Sequence, residues 1–366
     1  METDVYNKAA DALAARGGAI PVLKSKEFDA LLKELFEPEE AELAAKMPSK
    51  PVTFDEFARD IGEDPGRVES ILEALADKGI VFTRDKDGSR LYSLMPLLPG
   101  IFELQFTTGV VSDRTKRLAR LFDDYFRLFD EQVMKPLKES REKIAIFPFS
   151  RVIPVEKELP GPETTIHPYS KVSEFVEKAE RIAVSTCYCR HHGELIGDPC
   201  ERPKEVCMSF GPQAKYIIER GFGRELNKKE AREVLDIAEE AALVHCSSNT
   251  GNYITFICNC CDCHCGIIKS IKSGIIPMGA NSDYIVKLDE EVCTGCGTCE
   301  DRCQVDAIVL GDDDIAVLDE DRCIGCGLCV STCPDEALTM ALRDKTAVPP
   351  AGTRELNQAM KASVSR

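Results

Sequence analysis

The sequence predicts an α+β chain assembled from several domains. Three observations predict it. Apolar residues recur at helical spacing over roughly the first hundred positions and then give way to a pair of strand-like runs. All 18 cysteines fall between Cys187 and Cys333. Two cysteine-rich segments near the end repeat at an offset of thirty residues. The length of 366 residues favours two or three domains over one, and 43% apolar residues suffice for a core. The expected divisions are a helical unit with a hairpin over 1–106, a helix and proline-rich connector over 107–170, a cysteine-rich α+β domain over 171–283, a compact module over 284–342 and a tail over 343–366.

In the first unit a short helix is expected from Val5 to Ala15, ended by Gly17-Gly18. Phe28, Leu31, Leu32, Leu35 and Phe36 mark the next helix by their spacing. Thr53 is placed to cap a helix carrying Phe54, Phe57, Ala58 and Ile61. A turn at 62–65 leads to a second helix with Val68, Ile71, Leu72 and Leu75 on one face, stopped at Gly79. Strand-like runs follow at Ile80–Arg84 and Arg90–Leu94, joined through Asp85 to Gly88. This order of helix, turn, helix and hairpin resembles the winged-helix family. A DNA-reading helix carries Arg, Lys, Asn or Gln toward the groove. The helix from Pro65 offers Arg67 and Lys78 against Glu69, Glu73 and Asp77, and residues 24–100 hold 11 basic and 17 acidic side chains, a net of −6. Phosphate attraction needs the opposite sign. The unit is therefore expected to dock a partner or to form an oligomer.

Residues 112–143 predict a further amphipathic helix with Leu118, Leu121, Phe122, Tyr125, Phe126 and Phe129 near one face. Pro148, Pro154, Pro160, Pro162 and Pro168 predict an extended connector across a surface. The apolar run Pro96–Phe106 is read as core packing, with an exposed partner contact as the alternative. The polar tail after Arg343 is expected to be loosely held.

The repeat carries the chemistry. One segment reads LDEEVCTGCGTCEDRCQVDAI and the other LDEDRCIGCGLCVSTCPDEAL, each with the spacing C-x2-C-x2-C-x3-C. Short spacing lets three thiolates converge on one face of a cubic cluster, and the glycines let backbone pass close to its sulfides. The fourth cysteine of each such run serves the opposite cluster. The expected sets are Cys293, Cys296, Cys299 and Cys333 for one 4Fe–4S cluster, and Cys323, Cys326, Cys329 and Cys303 for the other. These segments resemble the bacterial two-cluster ferredoxins, which implies a small pseudo-twofold fold with two short hairpins and two short helices. Gln304 stands where the second run has Pro334, a change expected to loosen the turn without removing a ligand. Zinc prefers separated pairs of cysteines, so it fits this cadence poorly.

Ten cysteines remain: Cys187, Cys189, Cys200, Cys207, Cys246, Cys258, Cys260, Cys261, Cys263 and Cys265. Thiolates this crowded repel one another unless a metal neutralises them. One or two additional Fe–S clusters are expected here, loosely resembling cysteine-rich segments in multi-cluster proteins of anaerobes. Their grouping stays open: Cys187, Cys189, Cys200 and Cys207 make one set with the Cys258–Cys265 group supplying another, or the sets mix. His191, His192, His245 and His264 are either ligands or hydrogen-bond donors to cluster sulfur and solvent.

A net charge of −17 argues against nucleic acid as the main partner and favours a redox protein with a basic docking patch. The acidic start, the absence of an apolar membrane-spanning run and the cysteine usage are those of a reducing cytoplasm, as in an anaerobe. No G-x-G-x-x-G fingerprint, phosphate loop or nucleophile triad is present. The leading expectation is an electron-transfer protein or an electron-transfer subunit of an oxidoreductase. An oxidoreductase with a catalytic cluster in the middle, and a redox-sensing winged-helix regulator, are the alternatives.

Overall fold

The structure, a computed structural model, describes residues 2–18, 21–140, 147–160, 168–275 and 278–364. The chain divides into two compact units. One comprises Met1–Ser140, Thr186–Pro199 and Tyr216–Arg224; the other comprises Arg141–Ser185, Cys200–Lys215 and Glu225–Arg366.

The first unit opens with α1 (Glu2–Arg16), α2 (Lys26–Leu35), α3 (Pro38–Lys46), α4 (Phe54–Ile61) and α5 (Pro65–Asp77). Side-chain oxygens of Ser25, Thr53 and Asp64 accept N–H groups at the starts of α2, α4 and α5, satisfying donors that a helix leaves open. The apolar faces named from spacing are buried: Phe28, Leu31, Leu32, Leu35, Phe36, Val68, Ile71, Leu72 and Leu75. Strands β1 (Val81–Lys86) and β2 (Ser89–Leu94) pair antiparallel. They run longer than expected because Asp87 and Gly88, both at positive φ, make the turn alone. Val52 bridges Tyr92 at the hairpin's edge. After α6 (Phe102–Leu104), α7 (Asp113–Phe129) and α8 (Lys135–Ser140) form the long helical stretch, broken by a wide turn over Asp130–Met134. The apolar run before α6 is core: Leu97, Ile101, Phe102, Leu104 and Phe106 are buried, and Phe102 packs edge-on to Phe122 and Phe126. The remainder of the expected helix past Ser140, and Pro162 of the connector, lie outside the described residues.

Downstream come β3 (Ser150–Val152), α9 (Val172–Lys178), β4 (Ile182–Thr186), α10 (Tyr188–Leu195), β5 (Glu205–Phe210), α11 (Gly211–Glu219), β6 (Arg224–Leu226) and α12 (Lys228–Glu240). They are followed by β7 (Val244–Ser248), β8 (Phe256–Cys260), α13 (Gly266–Ser273) and β9 (Gly279–Ala280). A seven-stranded sheet in the order β6-β4-β5-β8-β7-β3-β9 carries this region. The proline-rich stretch differs from the expected surface connector. Between Pro148 and Pro154 it supplies β3, buried throughout and paired to β7 with Val152 opposite Cys246. Prolines that bracket a strand cost it no ladder bond, and Val152, Ile153 and Val155 need a core.

The last module contains β10 (Tyr284–Leu288), α14 (Thr298–Arg302), β11 (Ile308–Leu310), β12 (Ala316–Leu318) and β13 (Leu338–Leu342). β10 pairs antiparallel with β13, and β11 with β12, so only the second pair is a hairpin. The tail is also held more firmly than its composition suggests. Gly251 and Asn252 donate backbone N–H groups to Pro350 and Ala351 carbonyls, and α15 (Thr353–Val364) buries Leu356. Among the described residues, no helix is long and apolar enough to cross a membrane.

Candidate metal centres

Pairing of β10 with β13 sets Leu288 opposite Leu338, bringing the start of the first cysteine run beside the end of the second. Cys293, Cys296 and Cys299 lie between β10 and the first turn of α14, and Cys333 closes the 3-10 turn Val330–Thr332. One cavity is lined by these four cysteines together with Gly295 and Asp335. Cys303, at the end of α14, packs in one core cluster with Cys323, Cys326 and Cys329. Cys293, Cys299 and Cys333 pack against the same core, so the pairing of β10 with β13 gathers both runs in one module.

Local geometry suits bound sulfur. The Ala307 N–H donates to Cys303 Sγ at 3.1 Å, and the Ala316 N–H to Cys293 Sγ at 3.5 Å. Gly295 and Gly325 sit at φ +71 and +66, and a Cβ there would stand 1.8 Å from Asp314 O and 1.9 Å from Tyr284 O. Only glycine lets these loops fold so close to neighbouring backbone. Burial pushes the Cys326 thiol up to about 12, with Cys303 and Cys323 adding to it, and lifts Cys329 well above the ordinary thiol range. Cys299 is also raised by burial, whereas exposed Cys296 is lowered by the Thr298 hydroxyl. Buried thiols in such company ionise only when a cation offsets the charge. The thiol donors and glycine cradles of this module, with the cavity at Cys293, Cys296, Cys299 and Cys333, fit 4Fe–4S clusters.

The middle cysteines fall into distinct places. Cys200, Cys261 and Cys263 have their sulfurs within 4.8 Å of one another, with Cys200–Cys263 at 3.1 Å and Cys261–Cys263 at 2.7 Å. The thiol of Cys260 lies within hydrogen-bonding reach of Cys246, Cys258 and Cys265, and these contacts raise it well above the usual range. Cys246, although its bond from Cys260 acts the other way, is raised by burial. Cys207 sits in β5 of the same sheet, while Cys187 and Cys189 belong to the first unit, at the start of α10.

His191, His192 and His245 each have a protein partner other than cysteine. His191 Nδ1 lies 2.9 Å from Phe106 O, and His192 Nε2 lies 3.0 Å from Ala119 O. His245 has Asn259 Oδ1 at 2.5 Å and Glu239 Oε1 at 3.3 Å, so both of its ring nitrogens have protein partners. His264 is half-buried beside Cys263 and Cys265.

Two side chains gain roles that cysteine counting does not reveal. Gln304, 2% exposed, accepts the Asp262 N–H at 3.2 Å and donates to Arg302 O at 3.3 Å. It holds the loop between Cys261 and Cys263, so the residue expected only to loosen a turn is a tether. Its departure from proline was the available signal. Arg302 donates to Leu328 O and to the last carbonyls of α12, Glu239 O and Glu240 O, where a helix terminus favours a cation.

Residues 286–340 match the family model described as a 4Fe–4S dicluster domain. Searches of curated proteins and of solved structures found no match.

Proposed function

We propose that this chain is an iron–sulfur electron-transfer protein of the cytoplasm, acting as a carrier or as the electron-transfer subunit of an oxidoreductase. Cys293, Cys296, Cys299 and Cys333 hold one 4Fe–4S cluster, and Cys323, Cys326, Cys329 and Cys303 hold the other. The remaining cysteines hold one or two more Fe–S clusters. The observation that carries the reading is the cavity walled by three cysteines of one run and Cys333 of the other.

Each cluster, when bound, takes up and releases one electron. The polypeptide's part is to set how easily that happens. The N–H groups of Ala307 and Ala316, aimed at Cys303 and Cys293, favour the extra negative charge. The buried surroundings of Cys323 and Cys329 exclude water and oppose that charge. Cys296 is exposed, which makes the first set the exit nearer to solvent. The net charge of −17 favours a partner with a basic docking patch.

The first unit is proposed as a winged-helix-like module for docking or oligomerisation. Its element order and the Val52–Tyr92 bridge support the resemblance, and its acidic excess supports a protein partner over nucleic acid. The test is a crossed substitution. Cys333→Ser is expected to abolish the centre built on Cys293, Cys296 and Cys299, and Cys303→Ser the other, as followed by EPR of the reduced full chain. Loss of the same centre in both variants would refute the assignment.

A further inference from the structure

We infer that seven of the ten middle cysteines divide between the two faces of the seven-stranded sheet, and that Cys246, Cys258, Cys260 and Cys265 form a third 4Fe–4S site beside the cluster of Cys303, Cys323, Cys326 and Cys329. The inference rests on the reading of the C-terminal cysteines as cluster ligands and adds a separate site to it.

Strand parity carries the division. Side chains on a strand alternate between faces, and directly paired residues share one. Cys258 and Cys260 are two apart on β8, and Cys258 pairs with Cys246 on β7, so these three point to one side. Ile257 and Asn259 point to the other. The packing agrees. Cys246, Cys260 and Cys265 belong to the core cluster that contains Cys323 and Cys329, with Cys258 packed against it. Cys261 belongs to the opposite core with Ile257, and Cys200 and Cys263 pack there. Cys260 and Cys261 are neighbours in sequence, yet they serve opposite faces.

The four-cysteine group is built as a site. Cys246, Cys260 and Cys265 are 0%, 4% and 5% exposed. Cys260 is in reach of the other three thiols, and Cys265 enters at the N-cap of α13. Behind β7 and β8, the His245 ring and Asn259 are locked together, and Asn259 Nδ2 donates to Val206 O at 2.5 Å, which fixes the strand pair. Next to the group, Val152 lies opposite Cys246 and the Val155 N–H donates to Cys326 O at 2.9 Å. A few residues of β3 and its continuation therefore connect one thiol group to the next. Four thiolates, three of them buried and Cys258 half-buried, contiguous with a redox centre suit a further one-electron centre.

The test uses the full chain purified anaerobically, with iron, sulfide and zinc counted and EPR recorded after reduction. Cys258→Ser and Cys260→Ser are each expected to lose about four irons and the same spin system. Cys261→Ser is expected to keep that system. Magnetic interaction with the neighbouring cluster should split the reduced signal in the wild type, and the splitting should vanish in Cys260→Ser. Loss of the same irons in Cys260→Ser and Cys261→Ser would overturn the division, as would zinc in the site. Iron-edge anomalous maps of wild-type crystals give an answer independent of variant folding: an iron centre between β7, β8 and α13 is expected, and its absence overturns the inference. A wild type with about eight irons, all in the last module, defeats this inference alone; a wild type lacking those eight defeats the reading beneath it.

Discussion

Gly295 and Gly297 provide a matched pair for the geometry of the first cluster loop. Both lie at positive φ, +71 and +76, so alanine at either position incurs the left-handed backbone cost of about 1–2 kcal/mol. The surroundings differ. A Cβ on Gly297 meets nothing within 4 Å, whereas one on Gly295 would stand 1.8 Å from the Asp314 carbonyl oxygen. That oxygen belongs to the tip of the β11–β12 hairpin, which must move to relieve the clash. Overpacking of this kind costs a further 1–3 kcal/mol or so. The moved hairpin also carries Ala316, whose N–H is aimed at Cys293 Sγ. Gly295→Ala should therefore release iron from the first centre to a chelator about 5- to 150-fold faster than Gly297→Ala, if the strain is relieved on release. Iron release would be followed under anaerobic conditions by loss of visible absorption. Equal rates in the two variants would refute the close approach and the loop geometry built on it.

Three further outcomes are expected. Gln304→Ala removes an acceptor from Asp262 N–H and a donor to Arg302 O, and should cost about 1–3 kcal/mol, read as a lower melting temperature, whereas an unchanged melting temperature contradicts the tether. Burial opposes ionisation of Glu239, yet bonds from His245 and Lys157 hold its carboxyl below the ordinary 4.5; its contribution is complete above that pH and is lost as pH falls through the lower folded value. Glu239→Gln should thus lower stability by about 2 kcal/mol at neutral pH, with the gap to wild type narrowing in acid, and a gap that widens in acid has the wrong sign. Electron exchange with a basic c-type cytochrome should slow as ionic strength rises through about 0.1 M, because a charge of −17 steers the encounter; a salt-independent rate removes electrostatic docking.

Much of the first unit was legible because its signals are local. The spacing of Phe28, Leu31, Leu32 and Leu35, the cap at Thr53 and the turn near Gly88 each act within a few residues. The cysteine cadence of the last module is equally local, and its match as a dicluster domain covers residues 286–340. What stayed hidden depends on pairing between distant segments. Nothing in the prolines around 148–154 announces that Val152 lies opposite Cys246 in a buried sheet. The tail looks polar by composition, and its backbone partners near Gly251 lie about a hundred residues away. The grouping of the middle cysteines was illegible for the same reason. Cys260 and Cys261 are adjacent letters, and only the strand register shows that they face opposite cores.

Iron and acid-labile sulfide per chain, measured on anaerobically purified full-length protein, bear most directly on the central claim. Two four-iron centres require at least about eight of each, in brown protein that dithionite bleaches reversibly. Colourless protein with zinc or disulfides at Cys293 through Cys333 would contradict it.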